Sequence, residues 1–147
     1  MLMPTKILVP TDFSSYSDKA LLQALEIAKR YKAKVYVVHV LHEKNPYDTG
    51  DSTIPSYYED LEKQMIEGAM RQLQKQIDKF PQAKEVEVFR EVVNGNASEA
   101  ILAEERSKEV DLIVIGSLGR SGIAKYLIGS VARNVLKEAK CPVLLIK

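Results

Sequence analysis

The feature that most constrains this chain is an alternation between short apolar runs and longer stretches of helical periodicity. Lys6-Ile7-Leu8-Val9-Pro10, Val35-Tyr36-Val37-Val38-His39-Val40-Leu41, Asp111-Leu112-Ile113-Val114-Ile115 and Pro142-Val143-Leu144-Leu145-Ile146 are near-continuous apolar runs rich in branched residues. That is the pattern of strands buried on both faces. Between them, Leu21, Ala24, Leu25, Ala28 and Tyr31 recur at helical spacing, as do Leu61, Met65, Ala69, Leu73 and Ile77, and then Val131, Ala132, Val135, Leu136 and Ala139. Glu85 to Val92 alternates charged and apolar residues, as a strand near a sheet edge would. Buried strands joined by helices run parallel with right-handed crossovers. The pattern therefore predicts an α/β fold: an open five-stranded parallel sheet with helices on both faces, in a single domain over 1–147.

Local chemistry sets the expected boundaries. Ser15 with Asp18, and Asn96 with Glu99, have the spacing of helix-capping pairs. Phe80-Pro81 ends the second helix, Asn94-Gly95-Asn96 turns the chain, and Pro142 sits where a strand tolerates a missing N–H. From 43 to 56 the pattern stops in Asn-Pro, Asp-Thr-Gly and Ile-Pro turn chemistry, so this loop either covers a site or is inert. The methionine stripe of the second helix reads as core packing.

A chain of 147 residues buries roughly 70% of its unfolded surface, enough for a core without disulfides. The single Cys141 cannot form an internal disulfide. No apolar run reaches 18 residues and the start lacks a signal-like stretch, so a cytoplasmic protein with no membrane partner is expected. A net charge of +1 supplies no general attraction to nucleic acid, and none is expected as a partner.

Chemistry concentrates near the end of the chain. Val114-Ile115-Gly116-Ser117-Leu118-Gly119-Arg120-Ser121-Gly122 breaks a strand into glycines and hydroxyls, and Gly129-Ser130-Val131 then opens a helix. Bare N–H groups at a helix N-terminus favour an anion, and glycine removes the Cβ that would hold it away. The pattern lacks the Gly-Lys-Ser/Thr of a P-loop and the G-x-G of a dinucleotide fingerprint. In an open sheet, ligands bind beyond the carboxyl ends of the strands where the winding reverses. With strand order 3-2-1-4-5, that point lies between strands one and four, and Pro10-Thr11-Asp12 and Gly116 border one crevice. Taken alone, Asp12 also reads as a helix cap. His39 reads as a packed histidine rather than a base, and no Cys/His cluster or Ser-His-Asp spacing emerges.

The combination Gly116-x2-Gly119-x9-Gly129-Ser130, with the opening Ile7-Leu8-Val9-Pro10-Thr11-Asp12-Phe13-Ser14 and the closing Cys141-Pro142-Val143-Leu144-Leu145-Ile146, resembles the ATP-binding branch of the universal stress protein family across nearly the whole chain. The resemblance implies a Rossmann-like sheet of the adenine nucleotide alpha hydrolase type. It also implies ATP as ligand, with Mg²⁺ or Mn²⁺ on its phosphates. By that resemblance Asp12 contacts the ribose and the metal-phosphate region, beside Pro10 and Thr11. Val40 lies along the adenine, Ile115 and Gly116 pass under the ribose, and Gly119, Gly129, Ser130 and Val131 receive the phosphates. Arg120 is added by its place in the phosphate loop. The family further implies a homodimer paired through Val143, Leu144, Leu145 and Ile146. No residue is evident to orient an attacking water, so no catalytic residue is assigned and turnover is at most that of a slow ATPase. The expected role is a nucleotide-dependent sensor or switch with unknown protein partners. The alternatives are a nucleotide-independent interaction module and a true ATPase or adenylating enzyme.

Overall fold

A computed structural model describes residues 2–42, 57–119 and 128–147. Arg120 and the 43–56 loop, both singled out above, lie outside the described residues. The elements in chain order are β1 (Lys6–Pro10), α1 (Ser15–Tyr31), β2 (Lys34–Leu41), α2 (Tyr57–Asp78), a 3-10 turn (Pro81–Glu85), β3 (Glu87–Asn94), α3 (Ala97–Lys108), β4 (Leu112–Gly116), α4 (Ser130–Glu138) and β5 (Val143–Ile146). The five strands form one sheet in the order β3-β2-β1-β4-β5, every pairing parallel. β1 lies centrally, with Ile7 opposite Leu112 on one side and Val35 on the other.

Because successive strand residues point to opposite faces, the apolar runs feed two cores. Ile7 and Val9 of β1, Val35 and Val37 of β2, and Val114 of β4 pack against Leu21 and Leu25 of α1 and Leu73 and Ile77 of α2. Leu8, Val38, Val40, Ile113 and Ile115 pack on the other face with Ile101 of α3 and Ala132 and Val135 of α4. Both faces being covered explains why these strands show no polar alternation. Edge strand β3 does alternate, and its residues are half-buried or exposed.

Several boundaries differ from the sequence reading, each for a local reason. The cap of α1 is Ser14, not Ser15: its Oγ accepts the N–H of Ser17 at 3.2 Å. Asn96 caps α3 as expected, accepting from Glu99. The chain spends Pro81–Glu85 in the 3-10 turn, so β3 begins at Glu87 rather than Glu85. Helical spacing overstated three packed faces. Leu61 and Met65 are exposed, Met65 by 52%, so the core reading of the methionines fails at Met65 and holds at Met70, which packs on the core; the buried residues of α2 among those described are Ala69, Leu73, Gln76 and Ile77. Tyr31 and Leu136 also face solvent, each close to the C-terminal end of its helix.

Candidate functional site: a cleft between the ends of strands one and four

β1 keeps pairing one residue beyond its end, where Thr11 N–H donates to the Val38 carbonyl at 2.9 Å. The chain then turns sharply. Phe13 adopts a left-handed backbone (φ 65°), which costs a bulky L-residue about 1–2 kcal/mol. Neighbouring groups hold that turn. Phe13 N–H donates to Thr11 Oγ1 at 3.0 Å, and its ring stacks on His39 with centroids 4.3 Å apart. His39 Nδ1 lies 2.8 Å from the Thr11 carbonyl. A carbonyl only accepts, so Nδ1 carries the proton. His39 thus packs on Phe13 with Nδ1 committed to the backbone, and its half-buried ring also borders the cleft. Asp12 is not the helix cap; two residues before it, its Oδ1 accepts the N–H of the cap residue Ser14 at 3.0 Å.

The facing wall comes from β4. Ser117 N–H donates to the Ile146 carbonyl at 2.8 Å, and the Ser117 carbonyl accepts Gly129 N–H at 2.6 Å. This backbone contact ties together the two halves of the glycine motif. The glycines serve purposes that spacing did not show. A Cβ on Gly116 would lie 2.9 Å from Tyr16 Cβ and 3.0 Å from the Tyr16 backbone, so this glycine admits α1 against β4. A Cβ on Gly119 would lie 2.8 Å from Asp12 Oδ2, so this one admits the Asp12 carboxylate. At Gly129 a Cβ would make only ordinary contacts. Gly129 is the N-cap of α4 and brings no side-chain cap, which leaves the first N–H groups of that helix to other acceptors.

Together these walls enclose a cleft of about 470 Å³. Its apolar lining is Val38, Val40, Ala97, Ile101, Ile115 and Ala132, which pack in one cluster. Its polar lining includes Asp12, His39, Ser117, Gly119, Gly129 and Ser130, with Gly119 against Asp12 and Gly129 against Ser117, and Pro10, Thr11, Gly116 and Val131 line it as well. Every described residue of the expected nucleotide set therefore borders one cavity. Sequence reasoning did not place Ala97 or Ile101 at the site, and it named Ser117 only as part of the glycine-rich stretch. The first two follow the Asn96 cap, but only the docking of α3 across the strand ends brings them here. Among the described residues no group of three His, Cys, Asp or Glu side chains could hold a metal. The single carboxylate of Asp12 suits a cation ligated mainly by phosphate oxygens and water.

The universal stress protein family model matches residues 3–147 of this chain. The chain belongs to the universal stress protein family. Universal stress protein MJ0531 of Methanocaldococcus jannaschii is 33% identical over 142 residues, which cover 97% of this chain and 81% of that protein. The solved structure of the universal stress protein UspA from Lactobacillus plantarum is similar over the full length of both chains, with TM-score 0.78 and 26% identity. That of the universal stress protein from Archaeoglobus fulgidus in complex with dAMP matches with TM-score 0.69 and 25% identity, over 99% of this chain and all of the other. No helix among the described residues of this family member is long and apolar enough to cross a membrane.

Away from the cleft, buried Glu105 of α3 accepts the backbone N–H groups of Lys140 and Cys141 at 2.7 and 2.8 Å, which anchors the entry to β5. Burial, reinforced by the hydrogen bond and charge of Glu105, pushes the Cys141 thiol up to about 12. It is a poor nucleophile there.

Proposed function

We propose that this universal stress protein binds ATP in the cleft between β1 and β4, with Mg²⁺ or Mn²⁺ on the phosphates, and acts as a nucleotide-dependent switch with slow or no hydrolysis. The observation that carries this reading is one cavity lined both by an apolar cluster, a slot for a base, and by a polar lip of Asp12 and the glycine-loop backbone. The slot, between Val40, Ile101 and Ile115, has the character a purine ring requires. At the lip, the uncapped N-terminus of α4 directs N–H groups and the positive end of the helix dipole toward an anion. Asp12 faces that lip, where it would share a cation with phosphate oxygens. In this reading Val40 lies along the adenine, Ile115 and Gly116 lie under the ribose, and Gly119, Gly129, Ser130 and Val131 take the phosphates. When bound, the cation would neutralise phosphate charge; the residues of the chain bind and orient. This reading assigns none of them the activation of water, as suits a switch rather than an efficient ATPase.

Hydrogen bonds to a charged group contribute about 1.5–3 kcal/mol each, so three or four of them plus base burial support micromolar binding, about 8 kcal/mol. Heat-denaturing the purified protein and measuring the adenine absorbance and phosphate content of the supernatant would show what it carries. Nucleotide-free protein that gives no calorimetric response to ATP and Mg²⁺ at high micromolar concentration overturns the reading.

The β5 edge supports a two-fold homodimer as well. Leu144 is exposed on a strand that has β4 on one side only. Antiparallel pairing with the same strand of a second copy would satisfy that edge through Val143, Leu144, Leu145 and Ile146.

A further inference from the structure

We propose that Gln76, on α2 and outside the cleft, is a positioning residue that sets the Thr11-Asp12-Phe13 turn and so aims the Asp12 carboxylate. Its functional weight rests on the nucleotide reading of the cleft. Gln76 is only 3% exposed, on the stretch of α2 where Leu73 and Ile77 enter the core. Its amide has one consistent orientation. Nε2 lies 2.8 Å from Asp18 Oδ1, a carboxylate oxygen that accepts, so the nitrogen faces Asp18 and the oxygen faces Thr11.

From there the amide orders the hydroxyls it meets. Thr11 Oγ1 lies 2.7 Å from Gln76 Oε1 and 2.9 Å from Ser17 Oγ, and the shorter contact, to an amide oxygen that can only accept while Ser17 Oγ already accepts from Gln76 Nε2, takes the hydroxyl proton. With its proton committed, Thr11 Oγ1 presents a lone pair to Phe13 N–H at 3.0 Å. The Ser17 hydroxyl donates to the Ser14 carbonyl at 2.8 Å and leaves its oxygen to Gln76 Nε2 at 3.2 Å. Asp18 is held from the other side by Lys79 Nζ at 3.0 Å. The chain Lys79-Asp18-Gln76-Thr11-Phe13 thus connects the C-terminal end of α2 to the strained residue beside Asp12. A leucine would match the neighbouring Leu73 and Ile77 but would take a partner from the buried Thr11 and Ser17 hydroxyls and from Asp18. What glutamine adds is direction: it fixes the rotor of the Thr11 hydroxyl, which holds Phe13 at its left-handed φ and leaves Asp12 Oδ1 on Ser14 N–H.

The test uses Gln76→Glu, which sets a second carboxylate against Asp18, and the double variant Gln76→Glu/Asp18→Asn, which restores an amide-carboxylate pair with the two groups exchanged. Gln76→Leu is the second single variant should Gln76→Glu not fold. Two readouts apply, well below the unfolding temperature: ATP-Mg²⁺ affinity by calorimetry on nucleotide-free protein, and hydrogen exchange at the Phe13 and Ser14 amides. The single variant should weaken ATP roughly three- to tenfold, the scale of one hydrogen bond's net contribution, and speed both exchanges. The double variant should recover affinity and protection together. A folded single variant with the parent's exchange at Phe13 and Ser14 and the parent's affinity overturns the proposal, as does a double variant that regains stability but neither readout. A parent that binds no ATP removes the nucleotide reading instead, and the exchange measurement then decides on its own whether Gln76 holds the turn.

Discussion

Gly119→Ala probes the cleft at the point where its two walls meet. The added methyl would lie 2.8 Å from Asp12 Oδ2, well inside the 3.4 Å at which ordinary contact begins. The carboxylate must rotate or withdraw, and it is restrained, because its other oxygen accepts the Ser14 N–H at 3.0 Å. Moving it therefore loosens that bond or displaces the carboxylate from the lip. If Asp12 acts on the metal-phosphate region, losing one charge-assisted contact of about 1.5–3 kcal/mol weakens ATP-Mg²⁺ binding roughly 10- to 150-fold. Adenosine, which has no phosphates, should lose far less. Fold stability should change little, since the clash falls on a side-chain end rather than on packed backbone. Calorimetric titration of nucleotide-free protein with ATP and with adenosine, beside a thermal melt, separates these effects. A Gly119→Ala protein that binds ATP as tightly as the parent, or loses ATP and adenosine equally, refutes the reasoning.

Gly116→Ala should behave in the opposite manner, because its methyl meets the Tyr16 backbone of α1 at 3.0 Å. Overpacking of about 1–3 kcal/mol lowers the melting temperature by roughly 3–10 °C in a chain of this length, as calorimetry would register. Cys141 should resist iodoacetamide in the folded protein at pH 8, where a thiol titrating at about 12 is ionised only on the order of one part in ten thousand. The fold holds that proton past the ordinary thiol value of 9.0, so the stabilisation is complete below pH 9.0 and is lost as pH climbs toward about 12; Glu105→Gln should narrow this window in pH-dependent melts. Leu144→Lys should convert a dimer to monomers by light scattering, and a monomeric parent would dismiss the β5 pairing.

The sheet was legible because burial on both faces leaves a mark in the chain itself. Val35 to Leu41 and Leu112 to Ile115 are apolar at almost every position because helices cover both sides of them, and right-handed crossovers then leave few orders for the strands. Helix faces were less legible. Leu61 and Met65 keep the spacing of Leu73 and Ile77, yet spacing says which residues share a stripe and not whether a neighbour reaches it. The cleft divides in the same way. Gly116, Gly119 and Gly129-Ser130 announce an anion grip by composition, and topology brings Asp12 beside them. Tertiary structure alone decided why two of those glycines are glycines, since the atoms that exclude a Cβ belong to Tyr16 and Asp12, about a hundred residues away in sequence. It also decided that buried Gln76, one polar residue among many on a charged helix, reaches Thr11. Periodicity and turn chemistry act between near neighbours and are written locally. Close approach and the direction of a hydrogen bond depend on which distant atoms fill the remaining space, and only the packed chain contains them.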